Sequence, residues 1–378
     1  MGSVKNVIIV GGGISGMTLA IALQQRGIAT HVVEKARPED QLGTGINLQN
    51  NALRALRDIG VLKECLAEGF GWNTVATRDA GGQLLDVREL PWKPEPGMPG
   101  ALGIMRTTLA EILARHATDA GAKISYQTTV ETIDHRTDGV TVTLSDGRTE
   151  RADILVAADG AYSHIRQMAF GNDHHPLYAG QGVWRYTVPR PKTLDGFTIF
   201  RAEGGAASVG CLPLAEDLAY FFILESTVEP VRFREAELAA RLSERLAPYS
   251  APELVEARAA VGEDRHISFR RFDILLMPQP WHRGRIVLLG DAAHSLTPQL
   301  TSGGGMAVED SVVLADELDG CTDIERAFTA YGQRREGRVR PIYDNSLRIC
   351  ELEKGHPSDA TEAVTLFVES FKLLAAHY

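Results

Sequence analysis

Gly11-Gly12-Gly13-Ile14-Ser15-Gly16 stands between an apolar, largely β-branched run, Val4–Val10, and a stretch of helical periodicity, Ile14–Arg26. A continuous apolar run of this length suits a strand buried on both faces of a parallel sheet. Thr30–Glu34 reads as a second such strand, so the chain opens with a βαβ nucleotide-binding unit. In the G-x-G-x-x-G spacing Gly11 permits the tight turn, Gly13 lets the backbone approach a pyrophosphate, and Gly16 lets helix and strand pack closely. The helix N-terminus adds unpaired N–H groups and a partial positive charge. Glu34 closes the second strand, where a carboxylate accepts from ribose hydroxyls; it argues against a 2′-phosphate and so against NADP as the tightly held nucleotide. NAD and FAD both stay open at this point.

Outward from that unit, Asn50–Ile59 and Arg106–Ala120 have helical periodicity. Gly139–Leu144 alternates, Asp146-Gly147 is a hairpin turn signal, and Ile154–Ala158 is another buried strand. From Gly180 to about Glu225 the texture changes to Thr, Phe and Val strands broken by Gly and Pro, which predicts an inserted β-sheet. Ile286–Leu289 returns to the buried-strand pattern, and Met306–Leu318 opens a helical C-terminal third. The fold class expected is α/β: a Rossmann-like, discontinuous nucleotide-binding domain over 1–75, 100–178 and 270–330, an inserted β-sheet substrate domain over 76–99 and 179–269, and C-terminal helices over 331–378.

Composition narrows the partners. A chain of 378 residues with 44% hydrophobic content buries more than one small core, and a net charge of −10 argues against nucleic acid, whose phosphates need clustered cations. Cys65, Cys211, Cys321 and Cys350 are far apart and form no CxxC, which predicts reduced thiols and a cytoplasmic location. The apolar Val7–Leu23 resembles a signal or membrane segment but is split by three glycines and runs into Gln24-Gln25-Arg26, so no membrane association is expected. His174-His175 has no matching ligand partner, and no metal is expected.

Two further motifs end buried strands: Ala158-Asp159-Gly160-Ala161-Tyr162-Ser163-His164-Ile165-Arg166 and Gly290-Asp291-Ala292-Ala293-His294. The order GxGxxG, Asp-Gly, Gly-Asp-Ala-Ala-His resembles the flavoprotein aromatic hydroxylases of the para-hydroxybenzoate hydroxylase family, single-component monooxygenases with a glutathione-reductase-like FAD domain. The resemblance covers nearly the whole chain. It implies that Gly11, Gly13, Ser15 and Gly16 hold the FAD pyrophosphate and that Glu34, with Lys35 beside it, holds the adenosine ribose. It implies further that Arg106 lies near the phosphates, Val130 meets the adenine through its backbone, and Asp291 binds the ribitol. Asp159 and Arg166 would serve both FAD and a transient NADH or NADPH. Gly45 would brush the flavin, and Gly303 and Gly304 would offer N–H groups to its pyrimidine edge. One departure stands out: Thr301-Ser302 occupies the place of the family's usual Gly-Gln.

The same resemblance implies a substrate lying between the flavin and the inserted sheet. The candidates there are Asn47, in the loop after the second strand, Arg185 and Tyr220 on the sheet, and Pro298 beside the flavin; for Arg185 a surface salt bridge, and for Tyr220 simple core packing, are the competing readings. The implied activity is NAD(P)H- and O2-dependent hydroxylation of a small aromatic or N-heteroaromatic phenol or acid through a flavin C4a-hydroperoxide, by a monomer or homodimer. An FAD-dependent oxidase or reductase and a non-catalytic flavin-binding protein are the alternatives. Trp92-Lys93-Pro94-Glu95-Pro96 does not match the Trp-x-Trp-x-Ile-Pro signature of flavin halogenases.

Overall fold

The computed structural model describes residues 3–40, 43–90, 93–202, 207–262, 267–354 and 360–378; Trp92 lies outside them. The glycine-rich stretch follows strand β1 (Asn6–Val10), leads into helix α1 (Ile14–Gln24), and is answered by β2 (Ala29–Glu34). Val4 is buried but precedes the strand. A six-stranded sheet runs in the order His282–Arg283, Ile286–Leu288, Ile154–Ala157, β1, β2, Lys123–Tyr126. Its pairs are parallel except the outermost hairpin, His282–Arg283 with Ile286–Leu288.

Register explains why three motifs far apart in sequence meet. Val10 lies opposite Ala157, and Ala157 opposite Leu288. The residues that follow, Gly11, Asp159 and Gly290, therefore leave three adjacent strands at the same end of the sheet. That is where open α/β sheets bind ligands.

A second, eight-stranded sheet contains β4 (Leu177–Pro189), β5 (Leu218–Ser226) and β6 (Ile267–Leu276), with β4 between the other two. Alternation gives it two faces. Trp184, Tyr186 and Val188 pack outward into a core shared with the helices Glu235–Leu246 and Pro252–Ala259. Val183, on the opposite face, packs with Phe272 and Cys350. The strands cross the expected domain borders: β6 runs through 269/270, β4 through 178/179, and Thr74–Asp79 begins before 76. Strand alternation continues where the compositional texture changes, so texture places those borders a few residues off.

Between the sheets lies a three-stranded one in which β3 (Gly45–Gln49) pairs with Ala101–Met105, and that strand with Phe70–Trp72. Asn47 thus sits in a strand opposite Gly103, and the expected loop is corrected. The segment's glycine and amides mask its strand character, and its partner is remote in sequence. Helices α2 (Gly303–Leu318), α3 (Ile324–Lys354) and α4 (Ala360–Ala375) complete the chain; α2 begins three residues before the expected start. Among the described residues no helix is long and apolar enough to cross a membrane.

Candidate active site

The glycine-rich turn is built as its spacing predicts. Gly11 has φ +108° and is pressed against the Ala158 carbonyl, where no Cβ fits; Gly16 is pressed against the Gly11 carbonyl. Gly13 differs. It is exposed and a Cβ there would meet nothing, so the protein itself does not demand glycine at that position. The open space is the cradle a pyrophosphate would fill. Gly13 caps α1 without a side-chain acceptor, which leaves the first-turn N–H groups available to an anion. Glu34 accepts from the Gly12 N–H at 2.6 Å and the Ala36 N–H at 2.8 Å, so it also holds the turn; Lys35 beyond it is exposed. Ser15 lies against Gly290, which joins the first motif to the third.

Around Gly290 the support is a buried charge network. Asp310 accepts from the Gly290 N–H at 3.0 Å, from His294 Nε2 at 2.6 Å and from Arg335 Nε at 2.6 Å. Burial opposes the charge on Asp310, but His294 and Arg335 outweigh it and hold the carboxyl below its ordinary value. Glu309 takes Arg338, whose remaining N–H groups donate to the carbonyls of Leu373 and Leu374 at 2.7 and 2.8 Å. His294 therefore orders the loop. Asp291 is the exception in this motif: deep in the protein yet open to solvent, it has no hydrogen-bond partner among the described residues. Burial and Asp310 push its carboxyl up, against the pull of His294 and Arg106.

Asp159 Oδ2 accepts from the N–H groups of His164 and Ile165, while its Oδ1 is buried without a partner. Arg166 is fully buried and its guanidinium donates to the carbonyls of Ala161, Ala292 and His174. It clasps the Asp-Gly loop to the Gly-Asp loop. Val130 is fully buried at the start of the strand Val130–Arg136.

On the substrate side, Arg185 and Tyr220 lie on the inner face of the large sheet, with Arg185 paired opposite Phe222 and Thr187 opposite Tyr220. Tyr220 and Phe222 are tilted rings 5.7 Å apart, and Phe222 stacks on Phe197 at 5.9 Å. Arg185 is enclosed but not sealed, and it has no carboxylate or other acceptor among the described residues, so the salt-bridge reading is set aside. Burial pushes its guanidinium down to about 10, and the like charges of Arg106 and Arg270 act in the same sense. Burial pushes the Tyr220 phenol up, while Arg185 and Arg106 pull it down. Arg106, exposed at the head of the helix Arg106–Asp119, acts electrostatically on Asp291 on one side and on Arg185 and Tyr220 on the other. Arg106 thus lies within electrostatic reach of both halves of the site.

The structure adds residues that sequence patterns did not single out: Phe222, Arg270 and Gln49. Alternation from Tyr220 points to Phe222; nothing local points to Gln49. Asn47 Nδ2 donates to Thr301 Oγ at 3.1 Å, and Gln49 Nε2 does so at 2.5 Å. Pro298 opens the short helix Pro298–Leu300 on the same loop, and Gly303 and Gly304 start α2, whose Ser302 cap makes no side-chain bond to the helix N–H groups. Gly45 backs onto Leu214 and the Tyr220 ring.

The sequence profile of the FAD binding domain family matches residues 5–346. The chain belongs to that family. YetM of Bacillus subtilis (strain 168) is 31% identical over 375 residues, 99% of this chain and 100% of its own. The aurachin C monooxygenase/isomerase of Stigmatella aurantiaca is 32% identical over 351 residues, 92% of this chain and 89% of its own. The crystal structure of Klebsiella pneumoniae HpxO complexed with FAD and uric acid matches with a TM-score of 0.84 at 27% identity, covering 97% of this chain and 93% of that one. This flavoprotein is an FAD-dependent enzyme of the aromatic hydroxylase group. Its residues fit the cofactor: Gly13 leaves room at the head of α1, Asp159 Oδ1 is orphaned, Asp291 has no hydrogen-bond partner among the described residues, and α1 and α2 begin without side-chain caps, a set of donors and acceptors that a dinucleotide would use.

Proposed function

We propose that this flavoprotein uses NADH or NADPH and O2 to hydroxylate a small aromatic or N-heteroaromatic substrate, one oxygen atom entering the ring and the other leaving as water. The observation that carries the reading is the Arg185 guanidinium, without an acceptor among the described residues, beside Tyr220 on an aromatic-lined sheet face, with Arg106 near enough to act on both it and Asp291. Gly13, Ser15, Glu34, Arg106, Asp159, Asp291 and the start of α2 would hold FAD. When bound, FAD supplies the two-electron reduction of O2 and the oxygen transfer.

The side chains do the rest. Arg185 favours the deprotonated, electron-rich form of a ring, which an electrophilic oxygen attacks. Tyr220 offers a hydroxyl that donates to a substrate oxygen. Phe197, Phe222 and Leu212 exclude water from that face. Asn47 and Pro298 close the opposite wall. The HpxO complex holds uric acid, which is a reason to test N-heterocycles beside phenols. The reading includes a cytoplasmic monomer or homodimer, in keeping with four free cysteines.

The test is NAD(P)H oxidation by the purified yellow protein across phenolic and N-heteroaromatic compounds. Oxidation stimulated by one class, with hydroxylated product matching NAD(P)H consumed, supports the reading. A rate indifferent to every aromatic, with all electrons recovered as peroxide, counts against it.

A further inference from the structure

We propose that Thr301 is a positioning residue for the flavin: its hydroxyl fastens the turn before α2 to β3 and fixes where the helix N-terminus stands. Thr301 has φ +49°, a left-handed conformation that suits glycine and strains a β-branched side chain. What offsets the strain is the hydroxyl, which accepts from both Asn47 and Gln49. Gln49 Nε2 also donates to the Leu300 carbonyl at 2.6 Å, and because a carbonyl only accepts, this sets which end of the amide faces the loop. Gln49 Oε1 and Asn47 Oδ1 are left buried without partners.

On the other side of the turn, the Ser302 hydroxyl donates to the Leu300 carbonyl at 2.8 Å instead of capping α2. Gly304 lies against Ile46 of β3. One hydroxyl therefore ties two amide side chains with unpaired oxygens to the turn that leads into the uncapped α2. The pyrimidine edge of a flavin carries the complementary set, carbonyl oxygens and a ring N–H. Buried polar groups without partners are costly, so a pairing of this kind accounts for their presence. The proposal requires FAD binding but not hydroxylation, and it holds whatever the substrate.

The experiment uses the full chain with Thr301→Ser, Thr301→Ala and Thr301→Gly, checked for folding by circular dichroism. FAD affinity is measured by fluorescence titration of the apoprotein, together with the visible spectrum and midpoint potential of the bound flavin. The serine variant is expected to match the parent. The alanine and glycine variants are expected to bind FAD roughly tenfold more weakly, with shifted visible bands and a more negative potential. Glycine decides between the readings, since it relieves the backbone and a purely conformational role would leave it equal to the parent or better. A glycine variant with parental affinity, spectrum and potential overturns the proposal, as does a folded serine variant that loses them. Failure of the parent itself to take up FAD overturns the flavin assignment and this proposal with it, a result plainly different from the other two.

Discussion

Arg185 carries an enclosed charge with no counterion among the described residues, and a substrate oxygen anion is the partner that would satisfy it. A hydrogen bond to a charged group contributes about 1.5–3 kcal/mol, so Arg185→Gln should raise KM for the aromatic substrate about ten- to a hundredfold. The FAD spectrum should stay unchanged; steady-state kinetics beside an absorbance scan checks both. The guanidinium loses its proton as pH rises through about 10, so substrate affinity should hold below that value and fall above it. Asp291→Ala should weaken FAD retention, because its carboxylate is open to solvent and bonded to nothing else among the described residues; unchanged flavin content after gel filtration would contradict this. At this scale the sequence singled out Asp291 from the Gly-Asp-Ala-Ala-His motif and Arg185 from its place on a strand of the inserted sheet. Phe222 and Arg270 were not, since a strand's inner face is known only once its neighbours are paired. Arg166 shows the converse: a residue inside a nucleotide-type motif whose guanidinium turns inward to three carbonyls.

The junction of α2 and α3 holds two buried carboxylates, Glu309 and Asp310, against two buried guanidiniums, Arg335 and Arg338. Removing one partner from a buried pair strands the other charge and costs about 3–5 kcal/mol. Arg335→Met should therefore lower the denaturation midpoint markedly, measured by urea unfolding, and loosen FAD through the Gly290 loop. The pH sense follows from Asp310, whose carboxyl is held below its ordinary 3.8 in the fold. Its contribution is present above that ordinary value and is lost as pH falls toward and through the lower folded one. A urea series run downward from pH 6 should show stability dropping below about pH 4, with the drop smaller in Arg335→Met. Local periodicity disclosed the βαβ unit and the strand Ile154–Ala157, because such elements are read from consecutive residues. It did not disclose β3, which owes its strand form to Ala101–Met105, far along the chain.

Across the whole molecule, the discontinuous architecture was legible because apolar strand runs recur on both sides of the inserted sheet, and parallel pairing brings their ends together. The large sheet's extent was not, because pairs such as β4 with β6 are non-local and ignore compositional borders. The C-terminal segment gives a prediction at this scale. Arg54 donates to the carbonyls of Ala375 and Ala376, and Arg338 to those of Leu373 and Leu374. Ending the chain after residue 372 should leave both guanidiniums short of acceptors, lower thermal stability and reduce bound FAD, measured by differential scanning fluorimetry and flavin content.

The tie between those carbonyls and the Gly290 loop also has a bearing on biosynthesis. The glycine-rich turn leaves the ribosome early, yet Asp310 and Arg335, which brace the Gly290 loop opposite it, are translated hundreds of codons later. A nascent chain can therefore form the first βαβ unit well before the buried charges that hold the opposite loop are present.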